Sequence, residues 1–269
     1  MKVWFITGTS RGFGYVWTQA ALERGDKVVA TARDLAPLEP LVAEFGDAIL
    51  PMRLDVSDKT AAFDAVAAAH AHFGRLDIVV NNAGFGHMGY VEELTEEEIR
   101  AQFDTNVFGV IWVTQAALPF LRAQGSGHLV QVSSASGLTA AGGMGLYSAS
   151  KWALEGLSEA LAQEVRKFGI SVTLIEPGGY ATGFGSTGRR NSEIHDDYVA
   201  SHEKLAKLLG TSSGSDANDS VSALFAVVDA EKPPVRLLLG NQAVDIVTAA
   251  YERRLNDWKA WEEVSRSAG

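Results

Sequence analysis

The chain has 269 residues, of which 46% are hydrophobic and 21% charged, and a formal net charge of −10. The acidic balance argues against nucleic acid or an anionic membrane as a partner. The absence of cysteine excludes disulfides, thiol nucleophiles and cysteine metal sites, and no apolar run approaches the roughly 18–20 residues of a membrane span. What is left is a soluble protein that can bury a substantial core as one domain, residues 1–269, with the cytoplasm as the expected compartment. Residues 1–6 read as a strand of the fold, with no room for a signal peptide.

In chain order, Val3 to Ile6 is a short apolar strand that runs into TGTSRGFG, and Tyr15 to Arg24 follows as an amphipathic helix. Gly8, Gly12 and Gly14 allow a tight turn, close approach of backbone to a pyrophosphate, and close packing of helix on strand. Ser10, Arg11 and Phe13 are the side chains of that loop, and the helix start offers unpaired N–H groups and a positive dipole end to an anion. A second strand, Lys27 to Ala32, supplies the context a dinucleotide site requires. That strand ends in Thr31, Ala32, Arg33 and Asp34. The acid that would bind a ribose 2′-hydroxyl and repel a 2′-phosphate is absent at its end, and Arg33 can converge with Arg11 on such a phosphate. NADP(H) is therefore the expected cofactor; NAD(H) stays open because Asp34 can turn inward.

A helix near Leu38 to Phe45, a strand near Ala48 to Leu54 and an alanine-rich helix, Lys59 to Phe73, come next. Leu76 to Asn81, with Ile78, Val79 and Val80 in unbroken succession, reads as a strand covered on both faces. Thr95 to Gln124 reads as one long helix that bends near Asn106. Strand His128 to Val132, helix Ser148 to Lys167, strand Ser171 to Glu176, helix Asp219 to Asp229 and strand Arg236 to Leu239 complete the series. The alternation predicts an α/β protein: a Rossmann-type doubly wound parallel sheet of about seven strands with helices on both faces and the ligand at the carboxyl ends of the strands. Val244 to Ser267 is a charged amphipathic helix with Tyr251, Leu255, Trp258 and Trp261 at helical spacing, able to cap a pocket or join a subunit contact.

Tyr147 and Lys151 stand four apart in YSASK, and Ser134 lies thirteen residues before Tyr147. At i and i+4 a phenol and an ammonium share one helix face. A neighbouring cation lowers a phenol's affinity for its proton and brings it towards general acid/base work.

Taken together, these motifs resemble the short-chain dehydrogenase/reductase family, in its compact branch, over nearly the whole chain. TGTSRGFG resembles the family's glycine loop. LDV, with Asp55 and Val56, resembles its adenine-contacting element, and NNAG, with Asn82, Ala83 and Gly84, resembles the run after the fourth strand. Asn106 falls on the catalytic asparagine, Ser134, Tyr147 and Lys151 on the serine and YxxxK positions, and PGGYAT, with Pro177, Gly178 and Thr182, on PGxxxT. The resemblance implies that Tyr147 gives a proton to a carbonyl oxygen as hydride leaves the nicotinamide. Ser134 would bond the same oxygen, Lys151 would lower the Tyr147 pKa and bond the nicotinamide ribose, and Asn106 would hold a relay water. Each has a plainer reading: Asn106 as a tie between a helix bend and a strand, Ser134 as a turn hydroxyl with Ser133 the partner. The family also implies a homodimer or homotetramer.

GLTAAGGMGLY lies between the two hydroxyls, and Leu138 and Met144 should line a pocket for a neutral, hydrophobic carbonyl compound or secondary alcohol. The stretch near 181–215, with Phe184, reads as a lid. Arg189 and Arg190 in it are read as solvated or as greeting an anionic substrate, and His87 as surface or as a substrate contact. Trp4, Phe5 and Trp17 should pack the core. The remaining histidines show no ligand spacing, so no metal is expected. The run NNAGFGHMGYVEELTEEE resembles bacterial relatives of 17β-hydroxysteroid and retinol dehydrogenases. Two further readings stay open: an NAD-dependent alcohol dehydrogenase working oxidatively, and a nucleotide-binding regulatory protein without turnover.

Overall fold

The computed structural model describes residues 1–183, 188–210 and 214–269. Its strands and helices alternate: β1 (Val3–Thr7), α1 (Gly12–Glu23), β2 (Lys27–Ala32), α2 (Glu39–Phe45), β3 (Ile49–Arg53), α3 (Lys59–Phe73), β4 (Ile78–Asn81), β5 (Gly86–Met88), α4 (Glu96–Phe103), α5 (Gly109–Gln124), β6 (Gly127–Val132), α6 (Gly145–Val165), β7 (Ile170–Pro177), β8 (Arg189–Asn191), α7 (Val199–Gly210), α8 (Val221–Asp229), β9 (Arg236–Leu239), α9 (Asn241–Ala260) and α10 (Glu262–Arg266). Seven strands form one sheet in the order β3-β2-β1-β4-β6-β7-β9, every pairing parallel. This is the doubly wound arrangement that alternating strands and helices predict. The order reverses between β1 and β4, and that switch point is where such sheets open a crevice at their carboxyl ends.

The apolar runs read as strands because both sheet faces are covered. Along β1, Val3 and Phe5 enter the core with α3 and α5, and Trp4 and Ile6 enter the core with α1, α2 and α8. That is the two-residue alternation of a strand buried on both sides. Trp4, Phe5 and Trp17 are fully buried, and the two indoles donate to Asp26 and Ser220 (2.9 and 2.7 Å). The ends of α3 match the sequence reading because both caps are local: Asp58 accepts from Ala61 N, and Gly74 closes the helix at φ +75°.

Five features differ from the sequence reading. The long helix is two, joined by a π-helical turn at Asp104–Phe108 that contains Asn106. Helix α6 starts at Gly145, three residues earlier than read, so Tyr147 stands in its first turn. Strands β5 and β8 form a separate two-stranded parallel sheet that was not anticipated, nor was α7. The C-terminal segment is broken at Trp261, and Tyr251, Leu255, Trp258 and Trp261 face outward; Trp258 is 64% exposed. No described helix is long and apolar enough to cross a membrane.

Candidate functional site

Four loops leave the carboxyl ends of β1, β4, β6 and β7 and converge over the switch point. The glycine loop after β1 is locked to the loop after β4. Asn82 Nδ2 donates to Thr7 O and Gly8 O (2.8 and 3.0 Å), and the Thr7 hydroxyl accepts from the Asn82 and Ala83 amides (2.9 and 3.0 Å). Thr7 is therefore a structural key of the site that sequence reasoning passed over. Helix α1 begins without a cap bond from the Arg11 side chain, and the first turn of a helix offers N–H groups and a positive dipole end to an anion. A Cβ on Gly14 would fall 2.3 Å from Gly8 O, so this cradle has no room for a side chain. These features fit a dinucleotide's pyrophosphate. Phe13 stacks on Trp17 (4.9 Å) and meets Tyr180 edge-on (5.0 Å), tying the PGGY loop to the glycine loop, and Thr182 O lies 2.9 Å from where a Gly12 Cβ would stand. Ser10 lies in the same turn.

At the adenosine end, Arg11 and Arg33 are both exposed. Asp34 does not turn inward: its Oδ1 accepts from Ala36 N (3.1 Å) and caps the short 3-10 turn that follows. Asp55 likewise holds its own turn through Ser57, while Val56 is buried against Gly109.

At the opposite end, Asn106, Ser134, Tyr147 and Lys151 come together. Asn106 is fully buried; its Oδ1 accepts from Phe85 N (3.1 Å), and its Nδ2 donates to Phe85 O and Ser150 Oγ (3.0 and 3.2 Å). The π-turn, a feature frequent at functional sites, thus turns Asn106 into a tie to the loop after β4. A Cβ on Gly84 would lie 3.1 Å from Asn106 Oδ1 and 3.8 Å from Lys151 Nζ, which places these groups against one small space. Ser134 accepts from Ser136 N (3.1 Å) and is hydrogen-bonded to the Tyr147 phenol.

The electrostatics differ from the sequence expectation. Burial pushes the Tyr147 phenol up to about 12, against the opposing effect of the Ser134 hydrogen bond. Lys151 Nζ donates to Val132 O (2.7 Å) and stands 5.9 Å from the phenol ring. Burial brings Lys151 down to about 8, opposed by the charge of Glu155. In this arrangement desolvation decides, so the phenol is protonated throughout the neutral range. Such a group is set to give a proton.

Leu138 is buried in a small cluster with Ala135, Ala243 and Val247, under α9. Met144, half-buried, precedes Tyr147 at the helix start, and Phe184 lies outside the described residues. Of the segment read as a lid, the part from His195 to Leu205 packs against this loop and the run after β5. Leu205 of α7 lies against Gly143, and Gly89 N donates to Gly143 O (2.9 Å). Glu93 accepts from His202 Nε2, His195 N and Tyr90 N (2.8, 3.0 and 2.7 Å), and Tyr90 stacks on Tyr198 (4.7 Å).

His87 is not at the surface. It is 1% exposed, bonded through Nε2 to Ser192 Oγ (2.8 Å), which itself donates to Glu98 (2.9 Å); burial lowers its pKa. This knot fastens β8 to β5. Arg190 is exposed and stacks on Phe85 (4.2 Å), the residue that clasps Asn106. Among the described residues, no group of three acidic, histidine or cysteine side chains could hold a metal.

The family model of the short chain dehydrogenases matches residues 2–193. The oxidoreductase BOA17 of Botryotinia fuckeliana is 40% identical over 98% of both chains. Human retinol dehydrogenase 8 is 32% identical over 86% of this chain and 79% of its own. A short-chain dehydrogenase from Streptomyces avermitilis superposes with TM-score 0.94 at 40% identity, covering all of both chains. Several solved relatives carry a nicotinamide cofactor. A serine dehydrogenase is complexed with NADP+ (TM-score 0.77, 26% identity, 88% and 94% covered), and a Burkholderia phymatum member is in complex with NAD (TM-score 0.82, 25% identity, 96% and 94% covered).

Proposed function

The protein belongs to the short-chain dehydrogenase/reductase family and is an NAD(P)-dependent oxidoreductase; on that premise we propose that it reduces a neutral, hydrophobic ketone or aldehyde with NADPH. The observation that carries the reading is the Tyr147 phenol: buried, hydrogen-bonded to Ser134 and held in its protonated form across the neutral range. The bound nicotinamide supplies the hydride; the chain supplies placement and the proton. Tyr147 gives its proton to the substrate oxygen. Ser134, already bonded to the phenol, offers that oxygen a second hydrogen bond as negative charge develops on it. Lys151 contributes its cation beside the phenol, and Asn106, held by Phe85 and Ser150, fixes the wall of the site.

NADPH is favoured by Arg33 and Arg11 at the adenosine end and by the engagement of Asp34 in its own cap. A hydrophobic substrate is favoured by Met144, Tyr90 and Leu205 around the loop before Tyr147, and by the likeness to a retinol dehydrogenase. We place the enzyme in the cytoplasm as a homodimer or homotetramer; exposed Ile99, Phe108 and Leu157, on the helices and turn that carry Asn106 and Lys151, favour self-association.

The test is NADPH and NADH oxidation against aryl ketones, steroids, aldehydes and retinoids, in wild type and Arg33→Ala. Wild type is expected to prefer NADPH. Removing a charge-assisted contact to a phosphate costs about 1.5–3 kcal/mol, so Arg33→Ala should raise KM for NADPH about ten- to hundredfold and leave NADH unaffected. A wild-type preference for NADH would overturn the cofactor assignment and favour the oxidative reading.

A further inference from the structure

Behind the Ser134–Tyr147–Lys151 group lie two buried carboxyls that the reaction as described does not use. We propose that Glu155 and Glu176 share one proton, and that the single negative charge the pair retains keeps Lys151 an ammonium beside Tyr147. The proposal rests on the carbonyl-reduction reading above and makes Glu155 a positioning residue for Lys151.

Glu155 stands one turn after Lys151 on α6, on the same face. Glu176 is the penultimate residue of β7, and the two are 4% and 0% exposed. Both carboxyls lie at the Arg236 guanidinium, close enough for the charge of one to act on the other. The charged groups facing them come from two elements, β9 and α6. Arg236 of β9 donates from Nη1 to Glu155 Oε2 at 2.9 Å but lies 4.0 Å from Glu176 Oε1. Its Nη2 turns outward to exposed Glu159 (2.8 Å). Lys151 of α6 supplies the second cation. Neither oxygen of Glu176, nor Glu155 Oε1, has a hydrogen-bond partner among the described residues. A Cβ on Gly137 would lie 2.6 Å from Ser133 Oγ and 3.0 Å from Glu155 Oε1, so the pair is seated directly under the turn that presents Ser134.

Two carboxylates this close and out of water cannot both ionise. The proton resides on Glu176, because Arg236 and Lys151 both favour the charge on Glu155. Burial and the neighbouring Glu155 charge push Glu176 well above the ordinary carboxyl range. One negative charge then stands between two cations, Arg236 and Lys151. Burial alone drives Lys151 towards neutrality, and Glu155 opposes it. Neutralising Glu155 therefore costs Lys151 its proton at a lower pH, whereas replacing the already neutral Glu176 by an amide changes no charge.

Infrared spectra at neutral pH test the proton directly. Wild type is expected to show the C=O stretch of a protonated carboxyl, absent from Glu176→Gln. No such band in wild type, or one that persists in Glu176→Gln, overturns the sharing. Melting temperature gives a second reading that needs no substrate. A folded-state pKa raised above the unfolded value contributes stability that is lost as pH rises through it. Wild type should therefore lose stability relative to Glu176→Gln between the ordinary carboxyl range and mild alkali; parallel curves overturn the assignment.

The link to Lys151 is read in pH profiles of kcat/KM for the reduction. Glu155→Gln should move the alkaline limb to lower pH, with about tenfold lower kcat/KM at its foot for each unit of displacement. Glu155→Asp, which retains the charge, should restore it, and Glu176→Gln should leave the limb in place. A Glu155→Gln limb that superposes on wild type, whatever its melting temperature, overturns the positioning role. If no carbonyl compound turns over, the reduction itself fails, while the infrared band and melting curves still decide the shared proton.

Discussion

Tyr147→Phe is expected to fold, to bind NADPH as wild type does, and to lose about a hundred- to ten-thousandfold in kcat, the range a positioned acid contributes. The substitution removes one oxygen from a side chain that is 5% exposed and leaves the ring to fill its place. The cost to stability is one hydrogen bond to Ser134, about 1 kcal/mol, or about 2–4 °C in Tm for a chain of this size. The loss in rate is therefore separable from any loss of fold: calorimetry should show a small shift, and fluorescence titration an unchanged Kd for NADPH. Turnover within a few-fold of wild type would mean that another group gives the proton.

The same site predicts the direction of the pH dependence. The phenol, pushed up to about 12, keeps its proton across the working range, whereas the Lys151 cation is lost as pH rises through about 8. Reduction should accordingly hold level in the neutral range and fall in mild alkali, with Lys151 and not Tyr147 setting the limb. Stopped-flow single turnovers across that range would show it.

Where interactions are local or chemically distinctive, the sequence was readable. The apolar residues Ile78, Val79 and Val80 announce a strand covered on both faces, and Asp58 and Gly74 bracket α3 with caps that a reader can see. The convergence of Asn106, Ser134, Tyr147 and Lys151 was legible because each sits in a short motif. What escaped depends on partners far away in the chain. His87 lies among glycines and a methionine that suggest a surface loop, yet it is buried because Ser192, 105 residues later, and Glu98 close over it. Strand β8 is Arg-Arg-Asn, which has no strand signature; it pairs because the knot at Ser192 holds it against β5. The upward shift of Tyr147 was hidden for a related reason. YxxxK places a cation near a phenol, but only the packed structure shows that Lys151 Nζ donates to Val132 O and that burial governs the phenol. Glu176 did leave a signal: one acid in the apolar strand ISVTLIEP must find a partner or keep its proton.

Gly14→Ala should weaken NADPH binding at least about tenfold and destabilise the fold by about 1–3 kcal/mol, the usual cost of an extra methyl in a packed site. Helix propensity points the other way, since Ala inside α1 is worth about 1 kcal/mol over Gly. Sterics decide the sign. The new Cβ would stand 2.3 Å from Gly8 O, 2.6 Å from Asn82 Nδ2 and 2.9 Å from Gly8 C. None of these is the loose end of a long side chain: Gly8 is backbone, and Asn82 Nδ2 is fixed by its bonds to Thr7 O and Gly8 O. Helix α1 must therefore move off the glycine loop, and with it go the N–H groups of its first turn. Gly25→Ala is the matched comparison. Gly25 adopts φ +86° with nothing within 4 Å of its would-be Cβ, so alanine there pays only backbone strain, about 1–2 kcal/mol, far from any ligand. Both variants should melt earlier than wild type, by comparable amounts in calorimetry. Only Gly14→Ala should lose cofactor in a fluorescence titration. If Gly25→Ala weakened NADPH to the same extent, the loss would follow from general destabilisation and the cradle would lose its special place; if Gly14→Ala bound normally, the pyrophosphate would have to lie elsewhere than at the start of α1.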